Sequence, residues 1–313
     1  LRILVTGGAG FVGSHFCERL VGEGHEVICL DNLCTGDRGN LVQVDGNPDF
    51  RFILADVTSP INLEVDAVAH LASPASPVDY GRLAVETMLA NSMGTYHALE
   101  LAKKNGARFL LASTSEVYGD PDRTPQEEGY HGNVNPIGPR SCYDESKRFA
   151  EAMTSSYRRI HELETVIIRI FNTFGPRMRR EDGRVIPNLI QQAIAGELLT
   201  VYGDGTQTRS FCYVDDLVEG LYRALNIDAA VGQVINLGND GEMTILELAE
   251  RIKDITRSPS ELTYLPLPED DPLRRRPNLD KARAILDWEP KVSLEDGLRR
   301  VVEWFMDESK GRP

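Results

Sequence analysis

No apolar run in this sequence approaches the roughly 18–20 residues that a membrane-spanning helix requires. The first apolar residues already read as a strand rather than as the hydrophobic stretch of a signal peptide. Cysteine is scarce and scattered. Cys17, Cys29, Cys34, Cys142 and Cys212 form an odd set of five with no metal-ligand spacing, which fits a reduced, cytoplasmic setting. His70 has no second histidine or carboxylate at ligand spacing, so no metal site is expected and a structural role at a strand end is assigned to it. Positive charge is in deficit: 34 Lys and Arg against 48 Asp and Glu leave a net charge of −14. That argues against nucleic acid or an acidic membrane as partner, and any polyanionic substrate needs a local basic pocket. There is no internal repeat and no low-complexity tract. Leu1 rather than methionine opens the chain, which leaves room for an upstream segment, a membrane anchor included.

What is present begins at the first residues. Leu1–Thr6 is a short apolar run of buried-strand type, Gly7-Gly8-Ala9-Gly10-Phe11-Val12-Gly13 follows, and an amphipathic stretch carries Phe16, Leu20 and Val21. Strand, glycine turn and helix is the order a dinucleotide pyrophosphate needs. Glycines let the backbone approach the phosphates, and a helix N-terminus offers unpaired N–H groups and a positive dipole end. A second strand, Glu26–Leu30, ends in Asp31, eighteen residues after Gly13, where an acid accepts the ribose hydroxyls. A carboxylate there repels a 2′-phosphate and favours NAD over NADP. The alternative is a glycine turn with no ligand.

Further strand-like runs (Arg51–Leu54, Ala67–His70, Arg108–Ala112, Thr165–Ile170 and Gln233–Leu237) recur, with helical stretches near 84–105, 143–161, 185–196 and 214–226. This alternation predicts an α/β fold with a doubly wound parallel sheet and a smaller C-terminal lobe, into which Pro259, Pro266, Pro268, Pro272 and Pro277 fall. The expected division is discontinuous: 1–171 plus about 204–237 for the dinucleotide, 172–203 plus 238–313 for substrate. The polar, proline-rich segment 119–140 reads as an active-site loop. Tyr143 and Lys147, four apart, share one face of a helix. There an ammonium would stabilise a phenolate and bring a proton acceptor towards working pH, as removal of an alcohol proton during hydride transfer demands.

Gly7–Gly13, Asp31, Tyr143 and Lys147 together resemble the extended short-chain dehydrogenase/reductase family, nearly end to end. Within it, several segments are similar to the branch that decarboxylates UDP-glucuronate to UDP-xylose. They are His70-Leu-Ala-Ser-Pro-Ala-Ser-Pro77, Ser113–Pro121, Asn135–Lys147, Arg169–Met178, Leu199–Gly203, Gln207–Arg209, Asp271–Pro277 and Asp287–Pro290. One departure is Ser146, where the family pattern has glycine. The resemblance implies a Rossmann domain, a bound and recycling NAD, and a homodimer through the helices near 84–105 and 143–161. Its cofactor site carries over to Gly7, Gly10, Phe11, Val12, Gly13, Asp31, Asn32, Asp56, Val57, Leu71, Ala72, Tyr143, Lys147 and Arg177.

For catalysis it implies Tyr143 as base and acid, Lys147 tuning it, and Thr114 and Tyr143 as donors to a 4-keto oxygen. Thr114-Ser115-Glu116 discriminates among relatives. Family 4,6-dehydratases carry an aspartic acid where Ser115 stands, and typical 4-epimerases lack the acid at Glu116. Glu116 could orient water, donate a proton to carbon 5, favour loss of the carboxylate by like charge, or merely satisfy loop N–H groups. Arg177, Arg179, Arg180 and Arg184 could be a solvated face. By resemblance, Arg209 and Arg275 bind diphosphate or carboxylate, Arg184 is a further candidate, Asn172 and Tyr202 contact the nucleotide sugar, and Arg274 and Arg276 are solvated neighbours. The competing readings are a UDP-sugar 4-epimerase or 4,6-dehydratase, and a non-catalytic NAD-binding module.

Overall fold

Ile3, Leu4 and Val5 are fully buried, so the first strand is apolar on both faces, as a central strand of a parallel sheet must be. The computed structural model describes residues 1–267 and 274–309. Asp271, Pro272 and Leu273 of the arginine-rich string, and Pro268, lie outside the described residues. Strands β1 (Arg2–Thr6), β2 (Glu26–Asp31), β3 (Phe50–Leu54), β4 (Ala67–His70), β5 (Arg108–Thr114) and β6 (Thr165–Ile170) come first. Short strands β7 (Thr173–Phe174), β8 (Leu199–Tyr202), β9 (Thr208–Ser210) and β10 (Cys212–Tyr213) precede β11 (Val234–Leu237), and β12 (Glu242–Thr244), β13 (Leu262–Leu265) and β14 (Arg274–Arg275) follow it.

The main sheet has the order β11-β6-β5-β4-β1-β2-β3, and every neighbouring pair is parallel. It is the expected doubly wound sheet. Strand order reverses between β1 and β4, so a ligand crevice opens beyond the C-terminal strand ends there. Helices α1 (Phe11–Gly22), α2 (Pro77–Arg82), α3 (Ala84–Leu89), α4 (Thr95–Asn105), α5 (Ser141–His161), α6 (Val185–Ala195) and α7 (Val214–Asn226) lie between strands. Phe16 and Leu20 of α1 join Leu217 and Leu221 of α7 in the core on one face, while Leu99 and Ala102 of α4 and Ala150 of α5 fill the other. The stretch expected as one helix near 84–105 is broken by a π-turn at Ala90–Gly94. Gly94 packs there against Val57, which a Cβ would meet at 2.7 Å. Asn91 of this turn donates to the Ser146 hydroxyl at 3.0 Å, which occupies the serine that departs from the family pattern.

Outside the main sheet, β8 pairs with β13, and β9 lies between β12 and β14. Thr208–Ser210, expected on the dinucleotide side of the division near 204, pairs with β12 and β14, which come from the segment 238–313. Three-residue strands carry too little periodicity to be placed from sequence. The 119–140 segment also differs from expectation, since within it only Arg140 lines the crevice. Gln126 instead braces the chain beside Arg275, donating its N–H to Arg276 O at 2.8 Å and accepting from Asn278 N at 2.7 Å. Among the described residues no helix is long and apolar enough to cross a membrane.

His70, at the end of β4, is fully buried between two hydroxyls, Thr6 Oγ1 at 2.8 Å from Nδ1 and Thr95 Oγ1 at 3.1 Å from Nε2. Burial, with the Lys147 charge adding, pulls its pKa down to about 3. The folded protein therefore holds it neutral, while an unfolded chain protonates it near the ordinary 6.5. The stability it contributes is present above that value and is lost as pH falls through the window towards 3. His70→Gln should flatten the decline of Tm measured from about pH 6.5 to 5, where few ordinary carboxylates titrate. An unchanged slope would contradict this account.

Candidate active site

The strand ends deliver the site. A single cavity of about 750 Å³ is lined by every residue that the sequence singles out for cofactor, catalysis or substrate. Gly7 follows β1 with φ +71°, and a Cβ there would fall 2.7 Å from the Ala72 backbone N. A Cβ on Gly13 would lie 2.1 Å from Gly7 O, so the turn folds back on the start of α1 and only glycine fits. Gly10 caps α1 with no side-chain hydrogen bond, which leaves the first N–H groups of the helix to a phosphate. Asp31 closes β2, accepting from Ala9 N at 2.9 Å and Leu33 N at 2.8 Å. Burial raises its pKa, and these N–H groups oppose the rise. Asn32 donates to Asp56 Oδ2 at 2.8 Å beside it. Arg177 is held in the left-handed region at φ +69°, with its guanidinium on Glu18 at 2.6 Å and Ser14 at 3.2 Å. This cradle of turn, uncapped helix and buried acid fits a dinucleotide.

Tyr143 and Lys147 sit on the first turns of α5, both buried. Lys147 Nζ donates to Ala112 O at 2.9 Å and lies 5.8 Å from the centre of the Tyr143 ring. Burial brings its ammonium down to about 8, against the opposing charge of Glu151. For Tyr143 itself the largest influence is burial. It pushes the phenol up to about 12, and the hydrogen bond that pulls the other way comes from Thr114.

Glu116, two residues past the end of β5, is clamped by two arginines. Oε2 accepts from Arg140 Nη2 at 2.5 Å, and Oε1 accepts from Arg275 Nη1. Burial opposes ionisation, yet the guanidiniums of Arg275 and Arg140 together hold the carboxyl well below the usual range. Its partners are therefore arginines rather than loop N–H groups. Arg275 Nη2 is buried without a hydrogen-bond partner. Arg275 and Arg209 are register partners on β14 and β9, which brings both sequence candidates together. Arg184 pairs with Asp182 at 3.2 Å, and Asn172 and Tyr202 line the same cavity. Arg179 reaches Asp79 of α2 across the crevice and Arg180 donates to Phe305 O at 3.1 Å, so the arginine run is no free face. Arg274 is exposed on Glu242, Arg276 is half-buried, and neither lines the cavity.

Two participants escape sequence reasoning. Arg140 stands three residues before Tyr143, and only its place at the start of α5 hinted that it faces the strand ends. Tyr80, 63 positions upstream, stacks on Tyr143 with centroids 5.1 Å apart and planes 9° apart. No local pattern announces that contact.

Residues 3–238 match the model of the NAD-dependent epimerase/dehydratase family. The chain belongs to that family. Among family members, UDP-glucuronic acid decarboxylase 1 of Arabidopsis thaliana is 55% identical over 99% of this chain and 72% of its own. UDP-glucuronic acid decarboxylase 1 of Danio rerio is 52% identical over 98% of this chain and 73% of its own. The UDP-glucuronic acid 4-epimerase of Bacillus cereus in complex with UDP-glucuronic acid and NAD superposes with a TM-score of 0.88, at 30% identity over 98% of this chain and 100% of its own. DesIV, a dTDP-glucose 4,6-dehydratase from Streptomyces venezuelae with NAD bound, gives 0.90 at 31% identity, over 99% of this chain and 98% of its own.

Proposed function

We propose that this member of the family is an NAD-dependent UDP-glucuronate decarboxylase, converting UDP-glucuronate to UDP-xylose and carbon dioxide. The similarity to UDP-glucuronic acid decarboxylases over nearly the whole of this chain carries the reading, and the chemistry of the cavity agrees with it. Gly7, Gly10, Gly13 and the start of α1 hold the pyrophosphate, and Asp31 the ribose. When bound, NAD would supply the acceptor and later the donor of the hydride at sugar carbon 4, and its cationic ring would favour the Tyr143 phenolate.

Tyr143 Oη receives the proton of the 4-hydroxyl, leaving a ketone beta to the carboxylate on carbon 5. Loss of carbon dioxide moves the bonding pair onto the ketone oxygen. Tyr143 Oη–H and Thr114 Oγ1–H donate to that oxygen as its charge grows. Arg275, with its unshared buried Nη2, receives the substrate carboxylate, and Arg209 and Arg184 the diphosphate. An ionised Glu116 is a poor proton donor. Its charge instead offsets Arg140 and Arg275, so that the guanidiniums orient the carboxylate without holding it against departure. Carbon 5 takes a proton from water, and Tyr143 returns its own to O4.

The segments 172–203 and 238–313, extended by β9, form the UDP-sugar lobe, and the remainder carries NAD. Exposed Val85, Met88, Met93, Tyr96 and Phe149 on α3, the π-turn, α4 and α5 form the face of a homodimer, which a light-scattering mass of one chain would contradict. Five free cysteines fit a reducing, cytoplasmic setting. Incubation with UDP-glucuronate and NAD tests the activity: a UDP-pentose and carbon dioxide are expected, and a UDP-hexuronate epimer alone would overturn it.

A further inference from the structure

A second hollow, of about 180 Å³, is walled by Ser155, Arg158 and Arg159 of α5, Thr165 of β6, and Gly232 and Gln233 just before β11. Thr165 and Val234 open β6 and β11, so the hollow lies at the N-terminal strand ends, opposite the active site. The six residues of β6 put about 20 Å between the two, at about 3.3 Å each. Among the described residues no carboxylate lines the hollow. The side chains of Ser155, Arg158, Thr165 and Gln233 make no hydrogen bond or ion pair among those residues, and Arg159 only donates to Ser156 Oγ at 3.0 Å.

Nearby arginines behave otherwise. Arg108 pairs with Glu164 at 2.8 Å and Asp228 at 2.7 Å, and Arg169 pairs with Glu151 at 2.7 Å. In a chain with a net charge of −14, a guanidinium without a carboxylate is unusual, and this one has a built seat. Gly232 has φ +80°, and a Cβ there would fall 2.3 Å from Arg158 Cζ and 2.5 Å from its Nη2. The guanidinium therefore rests on a bare glycine backbone. Cations in a last helical turn complement the helix dipole, which accounts for the charge of Arg158 and Arg159. It does not account for a glycine seat, two free hydroxyls and a free amide around one hollow.

We propose that this hollow is a second binding site, for a small phosphate-type oxyanion. Arg158 and Arg159 supply the charge and the forked N–H donors that phosphate oxygens match. The Ser155 and Thr165 hydroxyls and the Gln233 amide donate to the remaining oxygens. The volume falls well below the roughly 300–1,000 Å³ of a site for a drug-sized ligand, so a phosphate group enters and a sugar nucleotide does not. Arg158 follows Phe149 by nine residues on α5, and at about 100° per residue it points away from the exposed apolar face. A second copy of the chain on that face leaves the hollow open.

Equilibrium dialysis of the NAD-loaded protein against radiolabelled inorganic phosphate tests this, with saturating UDP to fill the active-site cavity. One phosphate per chain should bind, with Kd of about 1 mM or tighter. Arg158→Gln should weaken binding by about ten- to a hundredfold, the scale of one hydrogen bond to a charged group. Thr165→Val keeps the branched shape and should weaken it by about two- to tenfold. Arg251→Gln removes an equally exposed charge elsewhere and should change Kd by less than about twofold. A parallel titration with glycerol phosphate tells a free phosphate from a phosphate monoester, and binding of either carries the proposal. Absence of saturable binding by both, or equal losses in Arg158→Gln and Arg251→Gln, would overturn it. Turnover of UDP-glucuronate enters none of these measurements, so their failure leaves the decarboxylase reading as it stands.

Discussion

Tyr143→Phe should lower turnover of UDP-glucuronate by about 10³-fold, within the 10²–10⁴ range for one general acid–base group, while NAD still binds. The phenylalanine keeps the ring that stacks on Tyr80 and loses only the oxygen. The loss should be large because nothing nearby replaces it. Lys147 is committed to Ala112 O, Glu116 to two arginines, and Thr114 carries a hydroxyl that is not basic. Fluorescence titration with NADH separates binding from chemistry. A turnover within about tenfold of wild type would remove Tyr143 from the role of base.

Glu116→Gln should act on two levels. It removes the charge that two buried guanidiniums share, and an uncompensated buried partner costs about 3–5 kcal/mol, so Tm should fall by several degrees. The amide also frees Arg140 and Arg275 to hold the substrate carboxylate at full charge. Decarboxylation should then slow by about a hundredfold, comparable to removing one electrostatic contact from a reacting centre. The first oxidation should persist, so NADH and a 4-keto hexuronate accumulate in a single turnover. Unchanged Tm and turnover together would show that the clamp does not matter. A loss of NADH formation equal to the loss of carbon dioxide would place Glu116 at the oxidation instead.

The first βαβ unit was legible because its demands are local: an apolar strand, three glycines at set spacing and an acid at the next strand end each act within a few residues. Tyr143 and Lys147 were legible for the same reason, being one helical turn apart. Their energetics were not, since spacing says nothing of burial, and burial decides the state of both groups. The Glu116 clamp joins positions 24 and 159 residues apart, and the Tyr80 stack depends on α2 meeting α5. Such contacts follow from the packing of the whole sheet, which no window of sequence contains. The π-turn at Ala90–Gly94 has a similar origin, since Gly94 must fit against Val57 from a distant loop.

The central claim is that Tyr143 creates a ketone in order to release the neighbouring carboxylate. Turnover of UDP-glucuronate with NAD in D₂O, followed by NMR and mass analysis, tests it most directly. The account predicts UDP-xylose carrying one deuterium at carbon 5, one carbon dioxide for each product molecule, and no net accumulation of NADH. Release of no carbon dioxide, with UDP-galacturonate or unchanged substrate as the only nucleotide sugar, would contradict it.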